Sequence, residues 1–207
     1  MALVDEHRTL IIALMSKGED MSWFKMLVNA ITLSICIGLS SYGFADALSG
    51  KKHIFLLDSK GHELEIGTVV FYPESDQSRY ELHMDHGLFR DYFLSMKEMK
   101  CLEGPELWCH LAYPYEQPHK ISREDLSWLS HDLLFMFKKK EDFGANFWNG
   151  IYYHMRVENE QIIGLAQAVD LNLLASPPEV LDIPPINEGE RDDIDRVKRW
   201  LPDIVIR

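Results

Sequence analysis

Basic side chains and cysteines are scarce in this 207-residue sequence, and short catalytic signatures are missing from it. Lysine and arginine number 21 against 33 aspartates and glutamates, a net charge of −12 with histidine neutral. A chain this acidic repels phosphate backbones and anionic lipid surfaces. That sets nucleic acid aside as a partner and leaves a membrane only as a tether. There is no G-x-S-x-G, no phosphate loop, no H-E-x-x-H and no dinucleotide fingerprint. The common hydrolase, nucleotide-binding and metalloprotease readings therefore have no local support. Internal repeats and low-complexity tracts are absent too. What is present is ordinary for a packed domain, with 46% hydrophobic and 26% charged residues, values that exclude wholesale disorder.

Charge is also missing from one long stretch. Between Lys25 and Asp46 there is no Asp, Glu, Lys or Arg. Residues 26–37 are mostly apolar; residues 38–47 drift to Gly, Ser and Tyr and end in Ala45-Asp46-Ala47. A basic start, an apolar centre and small residues at the end form, in that order, a cleaved secretory signal peptide. Residues 21–47 are the expected leader, cut after Ala47 or after Ala45. An uncleaved anchor in the inner membrane is the main alternative, because the run reaches the roughly 20 residues that a span needs. A buried core helix fits less well, since such helices usually show a polar face. Lipid attachment at Cys36 would meet the bulky Ile35 where a small residue is wanted. Translation from Met1 would give a 25-residue basic region holding four acidic groups, whereas Met21 leaves Met21-Ser22-Trp23-Phe24-Lys25. Residues 1–20 are thus expected to be a start-site artefact or a leader extension. The triplet Lys17-Gly18-Glu19 can be encoded by a purine-rich, ribosome-binding type of sequence just upstream.

Residues 48–207 are expected to form a single β-rich domain, periplasmic or secreted. Residues 1–47 hold three of the basic and five of the acidic groups, so this domain keeps 18 against 28. Of the three cysteines, Cys36 falls in the leader, which leaves Cys101 and Cys109. An even pair in an exported chain reads as a disulfide. The two flank Glu103-Gly104-Pro105-Glu106, a turn signal between short apolar runs, so they are placed as a cross-strand pair would be.

Alternation of apolar and polar residues predicts strands over 53–58 and 62–71 as a hairpin, over 79–84, and around the cysteine turn. Residues 88–94 lean towards strand through their aromatics. An apolar run over 132–138 suits a buried strand, and 150–157 with 161–170 suits a second hairpin. Ser122 followed by Asp125 resembles a helix cap and predicts a short helix over 123–129. Residues 176–186 hold Pro177, Pro178, Pro184 and Pro185, which keeps them extended and outside any central strand. Residues 191–201, with Asp192 and Asp193 early and Lys198 and Arg199 late, complement a helix dipole and predict a last helix stopped by Pro202. Many short strands with turns between them give a mainly β fold, an antiparallel sandwich or small barrel, with α+β as the alternative.

Three groups of residues are candidates for chemistry. His83, Asp85 and His86 offer two imidazoles and a carboxylate, donors that suit zinc or another transition metal. A turn must intervene for all three to converge, because His83 and Asp85 share a strand face and His86 does not. Phe147, Trp148 and Tyr152 belong to an aromatic-rich stretch that could line a cleft for sugar, peptide or an apolar ligand, or fill a core corner. Ser130-His131-Asp132 names the parts of a hydrolytic triad, but adjacent residues cannot meet in that geometry. The acidic cluster from Glu188 to Asp195 lacks the calcium-loop pattern. The expectation is an exported bacterial envelope protein without cofactor. It would act as a non-catalytic binding or structural module for an envelope protein or small ligand. The alternatives are a metal-dependent enzyme built on His83, Asp85 and His86, and a membrane-tethered domain.

Overall fold

Alternating hydrophobicity in this chain becomes one antiparallel sheet. The computed structural model describes residues 46–95 and 98–207. Its strands are β1 (Gly50–Leu57), β2 (Glu63–Pro73), β3 (Ser78–Met84), β4 (Arg90–Phe93), β5 (Glu98–Glu103) and β6 (Leu107–Leu111). There follow β7 (Lys120–Ile121), a short helix α1 (Ser127–Asp132), β8 (Leu134–Lys138), β9 (Gly150–Glu158), β10 (Gln161–Val169), β11 (Arg191–Asp193) and β12 (Asp203–Ile206). The order across the sheet is β4-β5-β6-β8-β9-β10-β12-β1-β2-β3-β7, with β11 on the flank of β10. Most of the leader expected over 21–47, and all of 1–20, lie outside the described residues.

The last strand joins the two halves of the sheet. Ile206 lies opposite Ile54 on β1 and Ile162 on β10, and Ile204 lies opposite Leu56 and Gly164. All these isoleucines and Leu56 are buried. The next residue continues the pairing, since His53 N–H donates to Arg207 O at 2.8 Å and Arg207 N–H to His53 O at 3.1 Å. The Arg207 guanidinium holds both Glu63 carboxylate oxygens at 2.9 and 2.7 Å.

The sheet cannot be flat. β3 and β4 stand nine positions apart in the strand order, which at about 4.8 Å per strand is roughly 43 Å. Yet residues 85–89 alone connect them, and such a link reaches only about 20 Å. The sheet therefore curls, and the linker packs across the gap. Phe89 is buried, with its ring 6.4 Å from His86 and 6.3 Å from His110 on β6. A bulge near Ile54 and Phe55 bends the β1–β2 pair, as an extra unpaired residue does. Gly67, beside it, lets β3 come close, because a Cβ there would lie 2.3 Å from His83 O.

Cys101 and Cys109 are directly opposite across β5 and β6 and bonded to each other, both buried. A short loop of this kind contributes about 2 kcal/mol. The tip of that hairpin docks on the chain before β12. Trp200 lies against Gly104 so closely that a Cβ would fall 2.3 Å from its ring. Trp200 N–H donates to Glu106 at 3.1 Å, and Arg199 pairs with Glu106 at 2.9 Å while lying 3.9 Å over Phe137.

Two expectations are corrected. Residues 191–201 are not a helix: residues 191–193 form β11 against Val169, Ala168 and Gln167, and only Arg196–Lys198 turn, as a single 3-10 turn. The acidic start and basic end suit a helix, but pairing with β10 and the docking of Trp200 consume the backbone instead. The helix expected over 123–129 begins later, at Ser127. The Ser122 hydroxyl accepts the Glu124 and Asp125 N–H groups at 3.2 and 3.1 Å, making a turn, and Asp125 then accepts Ser127 N–H at 2.9 Å. Elsewhere the expected hairpins 53–71 and 150–170, the cysteine hairpin and the strands at 79–84 and 132–138 are present within a few residues.

Replacing Ile206 with Ala should cost about 3 kcal/mol, the usual scale for a buried isoleucine. Urea unfolding followed by tryptophan fluorescence would show it; a loss below about 1 kcal/mol would mean that β12 carries little.

Candidate functional site

The gap that residues 85–89 bridge is where polar side chains collect. Asp132 ends α1 and turns inward. Its Oδ2 accepts the Tyr80 hydroxyl from β3 at 2.7 Å, and its Oδ1 accepts Gln117 Nε2–H at 2.6 Å. His119 Nδ1 lies 3.4 Å from Oδ2, with half of its ring in solvent. The Asp132 carbonyl accepts His110 Nε2–H from β6 at 2.8 Å. Strands β3 and β6, the loop before β7 and the end of α1 thus meet on one residue. Burial pushes the Asp132 carboxyl upward, against the Tyr80, His119 and Gln117 hydrogen bonds that favour its ionised form. Burial also raises the Tyr80 phenol, helped by the Asp132 charge, and lowers His110. His119 sits at φ 49°, a left-handed backbone that histidine tolerates better than most residues. Its carbonyl receives the Tyr80 N–H at 3.0 Å.

His131, one residue before Asp132, faces the other way and is wholly buried. Its Nδ1–H donates to Ser127 O at 2.7 Å, and its Nε2 accepts the Ile186 N–H at 3.2 Å. Those two bonds require the neutral ring with its proton on Nδ1. Tyr113, Trp128 and Tyr152 surround it with ring centroids 5.5–5.6 Å away. Burial holds its pKa down at about 4, with the nearby Arg191 charge acting in the same direction.

A cavity of about 240 Å³ is lined by Gln77, Lys120, Ser122, Asp125, Trp128 and Asp182, among others. That is room for several waters but below the usual range for drug-sized ligands. A second, more open groove of about 530 Å³ runs between β4 and residues 138–144, beside the exposed Phe93 and Phe143.

The residues singled out from sequence are placed as follows. His83 is exposed on β3 opposite Thr68. Asp85 accepts Gly87 N–H at 3.0 Å and caps the 3-10 turn His86–Leu88, while His86 leans on Phe89. Among the described residues no three His, Cys, Asp or Glu side chains gather as a metal ion would require. Phe147 is half-buried, Trp148 is 71% exposed, and Tyr152 is 2% exposed beside His131. Ser130, His131 and Asp132 diverge, with the histidine bonded to Ser127 and Ile186 and the aspartate to Tyr80 and Gln117. Sequence reasoning missed His119, Gln117 and Tyr80 as partners of Asp132. No local pattern could have joined them, because the contacts come from the curl of the sheet. The Ser127–His131 bond alone had a signal, the i,i+4 spacing on a helix.

No protein-family model, curated protein or solved structure matches this chain. Among the described residues no helix is long and apolar enough to cross a membrane.

Truncating Asp132 to Ala strips both the Tyr80 hydroxyl and the Gln117 amide of their carboxylate acceptor, leaving Tyr80 only Gln117 Oε1 at 3.2 Å, and should cost about 3 kcal/mol. Tyr80→Phe, which leaves the carboxylate its other donors, should cost about 1 kcal/mol. Equal losses in denaturant melts would contradict the central place of the carboxylate.

Proposed function

We propose that this chain is exported to the bacterial envelope, loses its leader, and works as a non-catalytic binding or structural module in the periplasm or outside the cell. The observation that carries the reading is the buried Cys101–Cys109 bond across the β5–β6 hairpin. Disulfides of this structural kind belong to oxidising compartments. The uncharged run between Lys25 and Asp46 supplies the matching leader.

The start of the packed chain supports one of the two expected cleavage points over the other. Ala47 and Leu48 are buried. Asp46 accepts Leu48 N–H at 3.2 Å and the Arg123 guanidinium at 2.8 Å, and Leu48 O accepts the Ser78 hydroxyl at 2.8 Å. Cleavage after Ala45 keeps this turn and ion pair. Cleavage after Ala47 discards them and places a new ammonium group on a buried residue. The reading therefore takes Ala45 as the last residue of the leader. It takes the curled sheet as a small barrel whose seam lies along the linker 85–89.

Support for a non-catalytic role is that the hydrogen-bonding capacity of Asp132, His131 and His110 is directed into the fold. The small cavity at Trp128 and Asp182 is the place this reading assigns to a ligand.

A non-reducing intact mass of the protein from its producing cell tests all of this together. The expected species begins at Asp46, is two hydrogens light and carries no metal. A full-length chain with free thiols would contradict export, and a stoichiometric metal ion would contradict the non-catalytic part.

A further inference from the structure

Residues 176–186 form a proline-rich strap over the outside of the protein, and its attachment is thin. Among the described residues, this strap makes a single hydrogen bond to the rest of the chain, from Ile186 N–H to His131 Nε2 at 3.2 Å. Its middle is exposed, including Val180, Leu181 and Ile183, so little apolar burial assists. Ile186 itself is buried, and the prolines before it are half-buried. On the near side the chain is fixed by Tyr115, whose hydroxyl donates to Leu174 O at 2.8 Å. On the far side Arg191 holds Asn187 O at 2.9 Å. The strap is therefore a loop held at Leu174 on one side and at the adjacent Ile186 and Asn187 on the other, and Asp182 on it is a wall of the 240 Å³ cavity.

We propose that His131 is a proton-operated latch: a proton on Nε2 turns the one acceptor that the Ile186 N–H has among the described residues into a donor, frees the strap, and opens the cavity beneath Asp182. Among the described residues the Ile186 N–H has no other acceptor. Nδ1 already donates to Ser127 O, so a charged ring would present its second N–H directly to another N–H. The groups facing the ring come from every neighbouring element. Tyr113 contributes a phenol from the loop after β6, Trp128 an indole from α1, and Tyr152 a phenol from β9. Arg191 on β11 lies 4.7 Å over Tyr152 and opposes a charge on His131, while Asp125 before α1 favours one. The opposing influences, burial and Arg191, keep the ring neutral in the closed state. The closed state is thus fully favoured above the unperturbed histidine value near 6.5 and loses its advantage as pH falls towards about 4. The latch requires no assumption about the compartment in which the protein works.

The test is nitrogen-15 NMR of the whole chain from pH 7 to about pH 3, below the closed-state value of the His131 ring of about 4. It follows the His131 ring, the Ile186 amide, backbone order parameters over 176–186, and the β12 amides of Ile204 and Ile206. The expected result is that strap order parameters fall from near 0.85 to below about 0.6 as the His131 ring protonates, while β12 does not change. A strap that stays ordered after the ring protonates would overturn the latch, and so would a strap and β12 that loosen together. Two variants separate the hydrogen bond from general acid sensitivity. His131→Gln keeps one donor and one acceptor without a titratable ring, and its strap should stay ordered at the acid end of that range. Ile186→Pro removes the N–H, and its strap should be loose already at pH 7. Wild-type pH dependence in either variant would contradict the proposal.

Discussion

Four residues, the strand β12, join the two halves of the sheet. β12 is paired on one side with β1 and on the other with β10. Without it, among the described residues, the β1–β2–β3 meander and the larger group from β4 to β10 share no backbone hydrogen bond within the sheet. Side-chain burial adds to the backbone ladder there, since Ile204 and Ile206 sit in a row with Ile54, Leu56 and Ile162. Antiparallel pairs of this kind gain from apolar residues directly across from each other. The chain fixes the approach to β12 as well. Tyr153 donates to Leu201 O at 2.8 Å, and Trp200 rests on Gly104 at the tip of the disulfide hairpin.

That closure explains where the polar residues go. A short linker between β3 and β4 forces the sheet to curl, and the curl brings Tyr80, His110, Gln117 and His119 around Asp132. Partners that lie 13 to 52 residues from Asp132 in sequence then form one network. Its neighbour His131 is used for another purpose, holding the strap instead of a substrate. Two adjacent residues of one short helix thus serve different sides of the molecule. For that reason Ser130-His131-Asp132 reads as a motif in sequence and not in space.

Much of the local structure was legible because strands alternate with period two and turns have their own residues. The hairpin at Asn159-Glu160, where both residues take left-handed backbone angles of 46° and 66°, is one case. The Cys101–Cys109 pairing across Gly104-Pro105 is another. What failed was the end of the chain. The acidic Asp192-Asp193 and basic Lys198-Arg199 carry the charge pattern of a helix, and tertiary pairing with β10 overrode it. β12 was missed because four residues after Pro202 are too few for periodicity to declare itself. The site was less legible than the fold. Nothing near Tyr80 or His119 announces a contact with Asp132, since those contacts are consequences of topology rather than of spacing.

Native-state hydrogen exchange tests most directly whether β12 holds the two halves together. If it does, the amides of Ile204 and Ile206 open only with the whole sheet, with the same free energy as Leu56 on β1 and Ile162 on β10. If β12 amides exchange through a separate opening of much lower free energy while β1 and β10 stay protected, the sheet holds without its last strand and this account of the fold is wrong.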